Sequence, residues 1–151
     1  MKYLSLAIFL AASFLAALPG GLLTDAGWYV ALNRPAWAPP GWLFGPVWTV
    51  LYTCIAVAGW LVWRQGGLAR QRVPLGFFAV QLALNCAWTP IFFGARQIGL
   101  ALGVILVLGV VIAATTALFW RVSRPAGLLF MPYLLWVSFA SALNFALWRL
   151  N

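Results

Sequence analysis

The sequence predicts an all-α membrane protein folded as one five-transmembrane-helix bundle over residues 1–151. Three observations carry this. Of 151 residues, 66% are hydrophobic and only 7% are charged, whereas soluble domains carry about a quarter charged residues. The charges are nine Lys or Arg and one acid, Asp25, and they are confined to linkers. Between the linkers lie five charge-free runs of 20 to 23 residues, and about 20 apolar residues cross a hydrocarbon core as a helix. Backbone groups in lipid need internal partners, and the runs lack the period-two alternation of a membrane barrel.

The first run, Leu4–Leu23, follows Met1 and Lys2. A basic start before an apolar run also fits a secretory leader. The run continues past Pro19–Gly20 without an A-x-A cleavage site, so a retained helix is expected. The next linker, Thr24–Gly41, reads TDAGWYVALNRPAWAPPG and is the longest in the chain. Long connections in compact domains are more often functional than short ones. Trp28, Tyr29 and Leu32 would line one face of a short interfacial helix. Pro35, Pro39 and Pro40 then stiffen the chain and bar regular helix. Such a loop either covers something apolar or anchors at headgroup depth.

The second run is Phe44–Trp63 and the third Val73–Phe93. The fourth, Gln97–Phe119, places Gly99 and Gly103 at GxxxG spacing, which permits close helix approach within the bundle or between subunits. The fifth is Ala126–Trp148. Pro46, Pro90 and Pro132 sit in or near these runs, where proline frees a carbonyl and bends the helix. The bends would widen a cavity beneath the loop, unless they are ordinary membrane-helix prolines. Lys2, Arg64, Arg70, Arg72, Arg121 and Arg124 fall on the amino-terminal side, and Arg34, Arg96 and Arg149 on the other with Asp25. The positive-inside rule then puts the amino terminus in the cytoplasm and the first loop and carboxyl terminus outside.

Composition excludes much chemistry. With no His and one carboxylate, paired-carboxylate hydrolysis, His-based triads and His-ligated metals are absent, so no metal site is expected. Cys54 and Cys86 have neither zinc nor redox spacing. No compact basic stripe or motif supports nucleic-acid binding. Of ten tryptophans, Trp42, Trp60, Trp63, Trp120 and Trp148 sit near span ends, where an aromatic belt is expected. Trp48, Trp88 and Trp136 lie within spans, between the midplane and the side carrying the long loop.

Helical spacing gives each of these an inward stripe: Phe44, Trp48 and Tyr52; Gln81, Asn85 and Trp88; Trp136, Ala140 and Asn144. Polar residues in a bilayer face the bundle interior, either as hydrogen-bonding glue or around a cavity. The aromatic concentration favours a flat-walled pocket with few polar anchors.

Three stretches carry a resemblance: NRPAWAPPGWLFGPVWTVLY (Asn33–Tyr52), QLALNCAWTPIFFG (Gln81–Gly94) and PYLLWVSFASALNFALWRLN (Pro132–Asn151). With the five-span layout, the sequence resembles the TspO/translocator-protein family of tryptophan-rich sensory proteins. The resemblance implies a membrane receptor, commonly homodimeric, whose first loop closes over a pocket for protoporphyrin IX, haem, sterols or flat synthetic ligands. By motif, Trp37 would belong to the lid. Phe44, Trp48, Tyr52, Asn85, Trp88, Phe92, Trp136, Ala140 and Asn144 would bind ligand. Trp48 and Trp136 would correspond to the pair proposed for porphyrin degradation. One departure stands out. Where animal members place Tyr in a cholesterol-recognition pattern, this chain has Leu143, Phe145 and Arg149, so high-affinity cholesterol binding is not expected.

Three functions compete. A receptor for a flat apolar ligand, needing no resident cofactor, fits an aromatic pocket. Haem would find no His ligand. An enzyme would have to be photo-oxidative, with bound porphyrin as sensitiser and Trp48 or Trp136 relaying an electron, because no group titrating near neutrality lies in the spans. Energised transport usually needs intramembrane carboxylates or His, which leaves passive transfer of a lipid-like ligand.

Overall fold

Each of the five runs is helical in the computed structural model, which describes residues 1–151. The membrane-crossing helices are α1 (Lys2–Leu23), α3 (Phe44–Trp63), α5 (Arg72–Thr89), α6 (Ile98–Val122) and α7 (Arg124–Leu150). Two short helices lie in linkers, α2 (Ala26–Ala31) and α4 (Gly67–Arg70). All five long segments are apolar enough to span a bilayer. Several overrun the charge-free runs, because α5 and α7 begin on Arg72 and Arg124 and α6 includes Arg121. A long arginine stem lies along apolar surface while its head reaches the headgroups, so a charge need not end a helix.

The third run departs from one regular helix. Pro90 lacks an N–H, and Pro90–Gly94 forms a π-helical turn in which the Ala95 N–H donates to Pro90 O at 2.8 Å. Pro46 sits in the first turn of α3, where no intrahelical donor is lost. In the 24–41 linker, Asp25 caps α2 by accepting from Trp28 N at 3.0 Å. Leu32 falls just beyond that helix, its N–H donating to Tyr29 O. Trp28, Tyr29 and Leu32 nevertheless pack against one apolar cluster, with Phe92, Leu143 and Leu147. Tyr29 alone is buried. No regular helix forms across Pro35, Pro39 and Pro40.

The long helices close a ring in the order α1, α3, α7, α6, α5 and back to α1. Lipid chains are as apolar as leucine, so packing and hydrogen bonds rather than water exclusion hold such a ring. The half remote from the long loop is packed with aromatics. Phe78 stacks on Phe119 with centroids 6.1 Å apart, and Phe130 meets Phe119 edge-on at 4.9 Å. Gly59 makes this possible, because a Cβ there would lie 2.7 Å from the Phe78 ring and 2.9 Å from Phe9. In the GxxxG pair, Gly99 makes room for the Trp148 indole, with Nε1 3.1 Å from where a Cβ would be. Gly103 faces open space, so within the chain the pair closes no helix approach.

Candidate functional site

The half of the ring nearest the long loop is hollow. A cavity of about 390 Å³ lies there, bounded by all five spans and roofed by the loop. That volume is within the range of small-molecule sites. Phe44, Trp48 and Tyr52 enter it from α3, Asn85 and Trp88 from α5, Phe92 from the π turn, and Trp136, Ala140 and Asn144 from α7. The structure thus gathers nine of the ten sequence-predicted site residues. Trp37 is the exception. It lies outside the cavity, half exposed, with its ring edge-on to Phe139 at 5.8 Å.

The π turn shapes one wall. It stacks Phe92 on Trp88 with centroids 4.7 Å apart and planes 19° from parallel. Trp48 leans on Tyr52 at 5.5 Å, and Trp136 meets Phe44 at 6.1 Å. Most of the polar groups are hydrogen-bonded to one another across helices. Trp88 Nε1 donates to Asn144 Oδ1 at 3.1 Å, and Asn144 Nδ2 donates to Ile98 O at 3.0 Å. Tyr52 Oη donates to Asn85 Oδ1 at 3.0 Å, and Asn85 Nδ2 to Tyr133 Oη at 2.7 Å. Asn85 and Asn144 therefore serve both as glue between helices and as cavity wall. Gln81 does not line the cavity. It is fully buried below it and accepts from Tyr133 Oη at 2.7 Å. The indole N–H of Trp136 is buried without a partner.

The roof is tied down at three places. Tyr29 is its plug, 3% exposed, edge-on to Phe44 at 5.6 Å and donating through Oη to Pro39 O at 3.2 Å. Burial pushes its hydroxyl pKa up, and Arg34, lying 5.0 Å over the ring, offsets part of that rise. Arg96 pairs with Asp25 at 3.5 Å and lies 5.4 Å over Trp28. Asn33 and Asn151 clasp each other, Asn33 N donating to Asn151 Oδ1 and Asn151 Nδ2 to Asn33 O, both at 3.0 Å. Small exposed residues, Gly21 of α1, Gly41 of the loop and Gly45 and Thr49 of α3, border the cavity.

Sequence reasoning missed Tyr133, the hub of the polar chain, and Phe14, Ala17 and Gly20, which α1 contributes to the wall. Tyr133 shares a stripe with Trp136 and Ala140 at i, i+3 and i+7, a signal available in the sequence. No lining residue is a carboxylate, Lys, Arg or His, so the cavity offers stacking and a few oriented dipoles rather than ordinary acid–base chemistry.

A model of the TspO/MBR family matches residues 6–149. The Translocator protein of Homo sapiens is 48% identical over 126 residues, covering 82% of this chain and 75% of that protein. Protein CrtK of Rhodobacter capsulatus is 40% identical over 149 residues, 96% of this chain and 91% of its own length. The Tryptophan-rich sensory protein of Cereibacter sphaeroides is 43% identical over 143 residues, covering 95% and 89%.

Proposed function

The chain belongs to the TspO/MBR family, a multi-pass membrane protein, and from that membership and its cavity we propose a receptor for flat apolar ligands of the tetrapyrrole class. Protoporphyrin IX or haem would enter the aromatic cavity beneath the first loop. One observation carries the reading. Trp48, Trp88, Phe92 and Trp136 wall a single cavity whose polar groups are few and mostly hydrogen-bonded within the protein, the Thr89 hydroxyl and the Trp136 indole N–H being among those left over. Such walls reward planar, polarisable ligands through stacking. Carboxylates on such a ligand would find their cation at the roof, in Arg34. The small exposed residues at the cavity's border, Gly21, Gly45 and Thr49, support exchange with the bilayer, and hence passive transfer. The charge bias supports an orientation with the loop and the carboxyl terminus outside, and the membrane proposed is a bacterial cell membrane. A homodimer is the functional unit that the family resemblance implies. High-affinity cholesterol binding is not expected, because Phe145, half exposed on α7, lacks the hydroxyl of the animal pattern.

A photo-oxidative reading has one specific support, since Trp48 and Trp136 both line the cavity. One experiment separates the two. Purified protein is titrated in the dark with protoporphyrin IX by tryptophan quenching, alongside Trp48→Phe and Trp136→Phe, and then illuminated in air. Saturable binding with no porphyrin loss beyond the protein-free control supports the receptor. Faster loss that vanishes in the variants while binding persists makes the protein an enzyme. Absence of saturable binding refutes the tetrapyrrole assignment.

A further inference from the structure

The polar chain below the cavity ends on an unsatisfied group. From Tyr52 it runs through Asn85 and Tyr133 to Gln81 Oε1, and Gln81 Nε2 is fully buried without a partner. A second orphan lies on α1. Ser13 is the one buried residue of that helix, and its Oγ is unpartnered. The two orphans stand level. The Phe9 and Phe78 rings meet at 5.6 Å, and a Cβ at Gly20 would lie 3.9 Å from Thr89 Oγ1. These two contacts are equally spaced along α1 and α5. Ser13 lies four residues beyond Phe9 and Gln81 three beyond Phe78. At 1.5 Å per residue their depths agree to about 2 Å.

We propose that Ser13 closes this chain and that the completed chain, Ser13–Gln81–Tyr133–Asn85–Tyr52, reverses its hydrogen-bond direction to present either an acceptor or a donor to a ligand at Tyr52. The inference rests on the cavity being a ligand site. Hydroxyls and amides alternate along the chain, with a hydroxyl at each end. A hydroxyl gives or takes, and an amide offers oxygen on one side and N–H on the other. Turning over both amides reverses every bond while the same heavy atoms stay in contact. In one direction Tyr52 donates to Asn85, and its oxygen lone pairs remain for a ligand N–H. In the other, Asn85 donates to Tyr52, and the phenolic proton is free for a ligand acceptor. Ser13 satisfies both directions, accepting from Gln81 Nε2 or donating to Gln81 Oε1. Rotation of its hydroxymethyl group, or one bridging water, makes the contact. Gln81 and Tyr133 do not line the cavity, so they act as positioning residues that set ligand specificity from beneath.

The test uses three flat tricyclic probes of similar shape at pH 8: acridine, which accepts a hydrogen bond, carbazole, which donates one, and anthracene, which does neither. Wild type is expected to bind acridine and carbazole each about five- to tenfold more tightly than anthracene, the net worth of one hydrogen bond. Gln81→Leu leaves Tyr133 only the Asn85 oxygen to donate to, which locks the Tyr52 proton toward the cavity. The acridine-to-carbazole affinity ratio should then rise about five- to tenfold. Ser13→Ala, a milder change that keeps the fold, should raise it about threefold, because a buried orphan carbonyl is tolerated better than an orphan N–H. In a Tyr133→Phe background, Gln81→Leu should not move the ratio. A ratio unchanged in both Gln81→Leu and Ser13→Ala, whatever happens to overall affinity, overturns the proposal. Failure of all three probes to bind wild type saturably overturns the ligand-site reading itself.

Discussion

Replacing Tyr29 by alanine should unseat the roof while leaving the bundle folded. The ring is 3% exposed, meets Phe44 edge-on and carries the bond to Pro39 O. Truncating a buried aromatic to alanine costs about 3–5 kcal/mol. The roof faces water when it lifts, so the transfer part of that cost applies here as it would not within the lipid-facing bundle. Taking about 3 kcal/mol, the open population rises roughly a hundredfold, at about 1.4 kcal/mol per factor of ten. Hydrogen exchange by mass spectrometry in nanodiscs reads this directly. The N–H groups of Leu32, Asn33 and Ala38 are bonded to Tyr29 O, Asn151 Oδ1 and Pro35 O, and they should exchange about a hundred times faster. Amides of α6 should not change. Tyr29→Phe loses only the hydroxyl bond, about 1 kcal/mol, and should accelerate exchange about fivefold. Loop exchange unchanged in Tyr29→Ala, or acceleration shared equally by α6, would refute the plug. The pH dependence has a defined sign. An undocked Tyr29 ionises near its ordinary value of 10.0, whereas burial holds the docked hydroxyl neutral to higher pH. Docking should therefore be insensitive to this group below pH 10 and weaken above it.

Gly59→Ala should destabilise the whole bundle. Its Cβ would meet Phe78 and Phe9 at under 3 Å, an overpacking that costs about 1–3 kcal/mol, and thermal unfolding in detergent should show a lower midpoint with loop and helices lost together. Asp25→Asn or Arg96→Gln should do little. Their side chains are 47% and 58% exposed, such pairs are worth about 0.2–1 kcal/mol, and the resulting few-fold rise in loop exchange should shrink at high salt; an effect above tenfold would mean the pair is a principal tether.

The spans were legible because a charge is costly in the hydrocarbon interior and cheap only near the interface, so ten charged residues sufficed to mark the linkers. Their exact ends were not, because Arg72, Arg121 and Arg124 belong to helices and reach outward from them. Stripes within one helix were equally readable. Phe44, Trp48 and Tyr52 share a face whatever surrounds them, and so do Trp136, Ala140 and Asn144. Two side chains are placed by partners from elsewhere in the chain. Gln81 sits on the same stripe as Asn85 and Trp88, yet Tyr133 from α7 fills the space above it and takes its oxygen. Trp37 lies in the roof segment, but that segment turns outward and lays its indole on Phe139. The Asn33–Asn151 clasp joins residues at opposite ends of the chain, and no local pattern announces such a pairing. The π turn was half legible. Pro90 marks a lost donor, but its consequence, two rings stacked into a cavity wall, depends on the helix continuing through the defect rather than stopping there. That continuation requires the surrounding ring of helices to hold Phe92 inward. A feature that reads locally as a helix breaker therefore becomes, in its tertiary setting, the device that builds the site.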